Sequence, residues 1–400
     1  PRAPFCLPPS GWTRILAMFP YWRLSAYYFF YFAFIGAFSP YFALYLQSLR
    51  FSAADIAVLM SMMQVMRIVA PAMWGWLADR LGARMPIVRV AALCSLAGFC
   101  GFFVTEAFHG VLLAMAVMAF FWSAALPLVE GVTFSHLGAN ASGYGRVRLW
   151  GSVGFIAVVL GLGYLLDHQP EQAVLWVSVL ILVGILICAL VMHDAPTNPL
   201  VGTTEGLRSV LRRRPVRFLF AACFLMSAGH GALYVFYSIF LVAAGYDKAT
   251  VGWMWTLGVV AEIGVFLVMP RVIRRFTERA ILMFAFSCAV LRFLMIGWGV
   301  GSMLVLVLAQ LLHGIPFGAY HSAAIAAVNR WFPGRLQSRG QALYGSVSFG
   351  AGGMVGGVLS GLVWQAAGPQ WTFTLASILA LGGCLLVWGG NGASRRSAVT

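Results

Sequence analysis

Long uncharged apolar stretches recur from one end of this chain to the other, and nothing else in it limits the possible folds so strongly. Each is near the roughly 20 residues that an α-helix needs to cross a bilayer. Membrane-spanning strands would instead be about 10 residues long with alternating polarity, a pattern the chain lacks. Only 9% of the residues are charged while 61% are apolar. A soluble domain carries about 25% charged residues, so most of this surface must face hydrocarbon. The expected fold is all-α and integral to the membrane. The predicted spans are 24–46, 54–77, 87–105, 110–130, 148–166, 172–192, 216–242, 250–270, 280–299, 302–325, 341–364 and 370–390.

The net charge of +15 raises the question of nucleic acid, and its distribution answers it. Twelve spans put both ends of the chain on one side. That side and the even-numbered connections hold Arg2, Arg14, Arg23, Arg80, Arg84, Arg89, Arg146, Arg148, Arg208, Arg212, Arg213, Arg214 and Arg217. They also hold Arg271, Arg274, Arg275, Arg279, Arg330, Arg335, Arg339, Arg395 and Arg396, against only Arg50 and Lys248 on the other side. By the positive-inside bias both termini are expected to be cytoplasmic, in a bacterial inner membrane. Membrane lipid, not nucleic acid, is the expected partner of these charges. The basic, proline-broken stretch 1–20 has no signal-peptide pattern, so the first apolar run reads as a retained helix. Cys94, Cys100, Cys188, Cys223, Cys288 and Cys384 lie in apolar stretches without CxxC spacing, which reads as free buried thiols and no metal site.

The longest polar stretch, 193–215, contains His193, Asp194, Pro196, Asn198, Pro199 and Arg212-Arg213-Arg214. It divides the chain into 1–192 and 216–400, six spans each, with 193–215 as a cytoplasmic linker. At an offset near 195, Leu149-Trp150-Gly151-Ser152-Val153-Gly154-Phe155 returns as Leu343-Tyr344-Gly345-Ser346-Val347-Ser348-Phe349. Gly36 pairs with Gly231, Tyr41 with Phe236 and Phe51 with Tyr246. Two parallel six-helix repeats related by an axis along the membrane normal are expected.

After the second span stands Gly75-Trp76-Leu77-Ala78-Asp79-Arg80-Leu81-Gly82-Ala83-Arg84. This string resembles the cytoplasmic signature loop of the major facilitator superfamily. Gly75 and Gly82 permit a tight turn and close helix approach, and Asp79 can accept from a helix N-terminus or an arginine. With Arg80 and Arg84 this implies a charged latch between the halves. Pro270-Arg271-Val272-Ile273-Arg274-Arg275 lacks the acid at the matching place, so the latch is expected on one side only. A basic anchor that only sets topology is the plainer alternative.

Ionisable side chains at membrane depth are costly and mark functional positions. Arg67, His230, Glu262, Arg292, His313 and His321 fall within apolar spans, Glu130 closes the fourth and Arg146 and Arg148 open the fifth. Arg67 and Glu262 occupy matching places at the 195 offset, which suggests a charge pair between the halves; a purely structural ion pair competes with that reading. The stretch Gly145-Arg146-Val147-Arg148-Leu149-Trp150-Gly151-Ser152-Val153-Gly154-Phe155 resembles the opening of helix five in lactose permease-like and phenylpropionate-type permeases. Glu130 stands eighteen residues before Arg148, the spacing of that family's substrate-binding pair. The resemblance implies that Glu130 and Arg148 bind substrate with Phe155 stacking nearby. It also implies that Glu262, Arg292 and His313, with His321, handle a proton. No second carboxylate follows His313; His313-Gly314-Ile315-Pro316-Phe317-Gly318-Ala319-Tyr320-His321 is closer to the phenylpropionate-type branch. An arginine fork suits a carboxylate, and histidine titrates in the range a relay needs.

The first span is dense in aromatics: Tyr27, Tyr28, Phe29, Phe30, Tyr31, Phe32, Phe34, Phe38, Tyr41, Phe42 and Tyr45. Most are expected at lipid or the interface, with a subset lining an apolar cavity. Gly350, Gly352, Gly353, Gly356, Gly357 and Gly361 mark close helix contact in the eleventh span. The expected function is proton-coupled symport of a small organic solute, best an aromatic carboxylic acid, by alternating access of a monomer that needs no cofactor. A sugar or nucleoside symporter and a proton-coupled drug exporter are the alternatives, though the fifth span lacks the proline of exporters. A metalloenzyme using His313 and His321 is disfavoured: eight residues on a helix separate them by about 12 Å. No re-entrant filter loop supports a channel.

Overall fold

The computed structural model describes residues 20–138, 143–194, 207–333 and 336–390. Arg2, Arg14, Arg335, Arg395 and Arg396, and the linker's Pro196, Asn198 and Pro199, lie outside the described residues. Among the described residues the fold is all helical, with twelve helices long and apolar enough to cross a membrane. They are α1 (Tyr21–Ser48), α2 (Ala53–Leu81), α3 (Met85–Phe103), α4 (Phe108–Leu137), α5 (Tyr144–Leu166) and α6 (Ala173–Val191). After the short turn Leu207–Arg212 come α7 (Arg214–Ala243), α8 (Lys248–Arg275), α9 (Glu278–Gly299), α10 (Met303–Trp331), α11 (Arg339–Ala367) and α12 (Pro369–Gly389). The face where α1 begins and α12 ends is called the terminal face below, and the other the opposite face.

Local signals set the ends. Ser52 and Asp55 form a capping box that starts α2, with Ser52 Oγ and Asp55 each bonded to the other's backbone amide. Gly82, at φ +65°, stops it in the left-handed conformation that glycine tolerates. Asp247 caps α8 by accepting from the Thr250 amide. That bond holds its carboxyl below the usual aspartate range.

The six helices of each group pack mainly with one another, α1 against α5 and α6, α7 against α11 and α12. Similar glycine crossings occur in both groups, though Gly352 stands four residues beyond Ser348, the residue that matches Gly154 in the sequence block. Gly154 of α5 lies under the Phe29 carbonyl of α1, and Gly352 of α11 under the Phe224 carbonyl of α7. Phe224 is Phe29 displaced by 195. A Cβ at Gly36 would meet the Phe155 carbonyl at 2.8 Å, and one at Gly231 would meet the Gly356–Gly357 backbone. With no hydrophobic drive between helices in lipid, such backbone-to-backbone contact is what packs them.

The glycines of α11 serve two partners. Gly352 and Gly356 face α7, while Gly350, Gly353, Gly357 and Gly361 face Ile68, Gln64, Ser61 and Ala57 of α2 in the other group. Gly75 differs: nothing lies within 4 Å of where its Cβ would stand, so it serves no close approach here.

The aromatic stripe of α1 departs from the expectation of lipid exposure. Tyr27, Tyr28, Tyr31, Phe34, Phe38, Tyr41, Phe42 and Tyr45 are all buried. The cause is position: α1 is an interior helix, covered by α5 and α6 and touching α7. Its rings stack on one another and on Trp122, and meet Phe99 and Phe102 edge-on.

Candidate functional site

Between the two groups, glycines again decide what can come together. Gly151 leaves the space in which the Phe32 ring of α1 and the Arg148 guanidinium of α5 meet. A Cβ there would stand 2.6 Å from Phe32 Cδ2 and 2.8 Å from Arg148 Nη1. The guanidinium carbon lies 3.6 Å from the centre of the Phe32 ring, a cation–π stack. Phe155, the ring expected near the substrate, is buried, and its backbone carbonyl lies against Gly36 where α5 crosses α1. The signal for Phe32 was present in the aromatic density of α1, but helical spacing alone does not say which ring a cation covers.

Glu130 and Arg148 are not joined as an ion pair. Glu130 Oε1 accepts from Tyr144 Oη at 2.8 Å, and Tyr144 stacks on Phe134 and meets Tyr28 edge-on. Arg148 remains within electrostatic reach of Glu130, and also of Glu262 and His321 in the other group. Among the described residues no carboxylate stands at ion-pair distance from it, so its planar fork is free to take a substrate oxyanion.

In the second group Gly314 lets α10 lie directly on α8: a Cβ there would stand 2.6 Å from the Ala261 carbonyl and 3.0 Å from the Glu262 amide. Gly258 makes the reciprocal space, its Cβ position lying 3.0 Å from His313 Cδ2. The result is contact between His313 Nε2 and Glu262 Oε1 at 2.8 Å. Arg292, fully buried, donates from Nε to the Ala309 carbonyl at 3.0 Å and from Nη2 to Gln310 Oε1 at 3.2 Å. Its charge reaches Glu262, His313 and His230. Nη1 of Arg292, Nε2 of His230 and Nδ1 of His313 are buried and carry no hydrogen bond among the described residues. This corrects the expected Arg67–Glu262 pair: Glu262 is taken by His313, and Arg67 donates to Gln64 one turn back at 3.4 Å. The reason is geometric, since the α8–α10 glycines bring a nearer partner than the other group offers.

Phe317 stacks between His313 and His321, 5.8 and 6.4 Å from their rings. It sits in the π-helical turn Ile315–Ala319, which contains Pro316. His321 Nδ1 lies 3.3 Å from Tyr344 Oη of α11. No group of three metal-binding side chains occurs among the described residues.

The bonds that join the groups gather at the opposite face. Asp167, following α5, accepts from the Lys248 and Ala249 amides at the start of α8, at 2.7 and 3.1 Å. A carboxylate at a helix N-terminus is held by both the free amides and the helix dipole. Lys248 Nζ donates to Glu171 at 2.7 Å and to the Leu166 carbonyl at 3.0 Å. Tyr41 Oη donates to the Val159 and Lys248 carbonyls at 2.7 and 3.3 Å, tying α1, α5 and α8. Away from that face, at mid-depth of α2 and toward the terminal-face end of α11, Ser346 Oγ donates to the Ile68 carbonyl at 3.1 Å. None of these residues was singled out for a latch from sequence, because a lone Asp at a loop looks like any cap.

At the terminal face, Asp79 is exposed and makes no ion pair among the described residues. Arg80 lies over the Trp76 ring, 4.9 Å from its centre. The helix-terminus role expected of Asp79 falls to Asp194, which accepts from the Arg84 and Met85 amides at 2.6 and 3.0 Å. Arg84 Nη1 reaches Ser135 Oγ at 2.9 Å, beside Gly131. The signature loop is thus fastened to Ser135 of its own group and to Asp194 at the start of the linker and, among the described residues, not to the other group.

Comparison with known proteins fits this arrangement. The MFS_1-like family model matches residues 21–375. The chain is 29% identical over 371 residues to a probable 3-phenylpropionic acid transporter of Escherichia coli (strain K12), covering 90% of this chain and 95% of that protein. It is 27% identical over 367 residues to a maltose permease of Geobacillus stearothermophilus, covering 89% and 91%. The crystal structure of nucleoside transporter NupG shares the fold, with a TM-score of 0.78 at 17% identity over 92% of this chain and 98% of that one. Spans, repeated crossings and family match agree: the chain is a multi-pass membrane transporter, not an enzyme, and belongs to the MFS_1-like family.

Proposed function

We propose that this transporter carries a small aromatic carboxylate, of the phenylpropionate kind, together with protons. The observation that carries the reading is the Arg148 guanidinium over the Phe32 ring, 3.6 Å from its centre, with no carboxylate at ion-pair distance among the described residues. A permanently charged fork on an aromatic shelf suits a ligand with an oxyanion at one end and a ring at the other. The name of the E. coli relative supports the same class. Glu130, set by Tyr144, borders that site.

Glu262 and His313 are the proposed proton-handling pair, with Arg292 beside them and His321 one Phe317 ring away from His313. A carboxylate and an imidazole in direct contact exchange a proton without a large motion. An anion bound at Arg148 would offset its charge, and so would alter the field at the proton site in the other group. One proton moved down 100 mV supplies about 2.3 kcal/mol, enough for a modest uphill gradient.

Residues 1–192 and 216–400 are the proposed rocking bodies, 193–215 their linker. The arginine census supports a cytoplasmic terminal face, and the bacterial relatives support the bacterial inner membrane as its location. The Asp167–Lys248 clasp then closes the outer side while Asp79 is released at the inner side, an inward-facing state of a monomer. Sugar and nucleoside relatives favour a second reading, transport of a neutral hydroxylated solute.

Thermal unfolding of the purified protein separates the two, since a ligand of the folded state raises stability. 3-Phenylpropionate is expected to stabilise and its amide is not. Stabilisation by maltose or a nucleoside instead, with none by the acid, overturns the proposal.

A further inference from the structure

At the terminal face, where α7 begins and α12 ends, an open surface groove of about 280 Å³ is lined by Arg214, Arg217, Phe218, Ala221 and Leu386. Both arginines are exposed, and among the described residues neither has an acidic partner at ion-pair distance. Arg214 lies 5.2 Å from the centre of the Phe218 ring, so the aromatic holds that guanidinium at the mouth of the groove. Phe218 and Ala221 follow Arg214 by four and seven residues, which places them about 6 and 10 Å deeper along α7. The groove is therefore cationic at the water–membrane boundary and apolar below it.

Its far wall is built to stay close. A Cβ at Gly390 would stand 3.0 Å from Phe218 Cβ, so the end of α12 lies directly against α7. Arg279 donates to the Trp388 carbonyl, fixing that end of α12 to the start of α9, and the exposed Trp388 ring sits at the depth where indoles anchor at a bilayer surface.

We propose that this groove is a binding site for one anionic phospholipid. Its phosphate would lie between Arg214 and Arg217 and the first carbons of an acyl chain along Phe218, Ala221 and Leu386. Charge complementarity selects the headgroup, and the apolar floor selects a lipid over a free phosphate. The site lies apart from Arg148 and Glu262, and its occupant is not the transported solute.

The test uses the full chain, delipidated in detergent and titrated with phosphatidylglycerol or with phosphatidylcholine of the same acyl chains. Affinity is read by thermal unfolding and by native mass spectrometry. Phosphatidylglycerol is expected to bind the more tightly. The Arg214→Gln/Arg217→Gln variant is expected to lose about thirtyfold of that affinity, each surface arginine contributing about one part in two of the attraction. Arg271→Gln/Arg274→Gln, which removes the same charge elsewhere on that face, is expected to change it little. Ala221→Trp keeps both arginines, fills the apolar floor and is expected to weaken binding too. Equal loss in the two arginine variants, no preference between lipids, unchanged binding to Ala221→Trp, or the same stabilisation by inorganic phosphate each overturns the proposal.

Discussion

His313 Nε2 stands 2.8 Å from Glu262 Oε1 because neither Gly258 nor Gly314 places a Cβ between α8 and α10. Two residues at membrane depth share one short contact, and Arg292, the nearest fixed charge in that group, bonds to Gln310 and the Ala309 carbonyl rather than to the acid. The acid is thus left to the imidazole.

Gly314→Ala tests that dependence without touching either ionisable group. The added methyl would meet the Ala261 carbonyl, forcing α10 away from α8. Overpacking of this kind costs about 1–3 kcal/mol. Proton-driven accumulation is expected to fall at least tenfold, while downhill exchange of substrate continues. Equal loss of both in a vesicle assay would place the glycine's role in folding alone.

Gly151→Ala makes the matching test at the substrate side. Its methyl would occupy the space where Arg148 lies on Phe32. A charged hydrogen bond contributes about 1.5–3 kcal/mol, so losing the fork's alignment is expected to weaken carboxylate binding roughly tenfold or more. Arg148→Lys keeps the charge but not the planar stack and is expected to fall in the same range, and Phe32→Ala less far. Calorimetric titration with 3-phenylpropionate reads all three.

The clasp at the opposite face yields a different observable. Asp167→Ala removes the acceptor of the Lys248 and Ala249 amides. Hydrogen exchange at the start of α8 is expected to quicken by at least about tenfold, the two charged bonds having held those amides closed. Unchanged exchange would mean the amides are protected by the helix alone.

Glu171, in the same clasp, gives the pH dependence. Burial works to raise its pKa, but the bond from Lys248, its own backbone and the lysine's charge outweigh this and hold the carboxyl below its usual range. A lowered folded-state pKa means the stabilisation is complete above the ordinary glutamate value. It is lost as pH falls through the lowered one. The Glu171–Lys248 contribution is therefore expected to be flat at neutral pH and to disappear only in the acid range. Comparison of wild type with Glu171→Gln by thermal unfolding from neutral to acid pH checks this; converging curves at the acid end are expected.

Much of the frame was legible in the sequence because lipid leaves few choices. Twelve apolar runs and the glycine spacing of α11 each carried through to a helix or a crossing. What the sequence hid were pairings across helices. Arg67 and Glu262 match by repeat position, yet the partner of Glu262 is decided by which neighbouring helix carries glycine. Phe32 and Phe155 are both one plausible ring from Arg148, and only the Gly151 space selects Phe32. The α1 aromatics looked lipid-facing because composition does not reveal which span lies in the interior. Asp167 is a single acid after a helix, and its role depends on α8 starting beside it.

The most direct measurement is uptake of labelled 3-phenylpropionate into vesicles, with and without an imposed inward proton gradient, for wild type and Glu262→Gln. Accumulation above the external concentration is expected only for wild type and only with the gradient, while both proteins exchange substrate at equal concentrations. Accumulation by Glu262→Gln that still follows the gradient, or wild-type uptake indifferent to it, would contradict a proton path through Glu262 and His313.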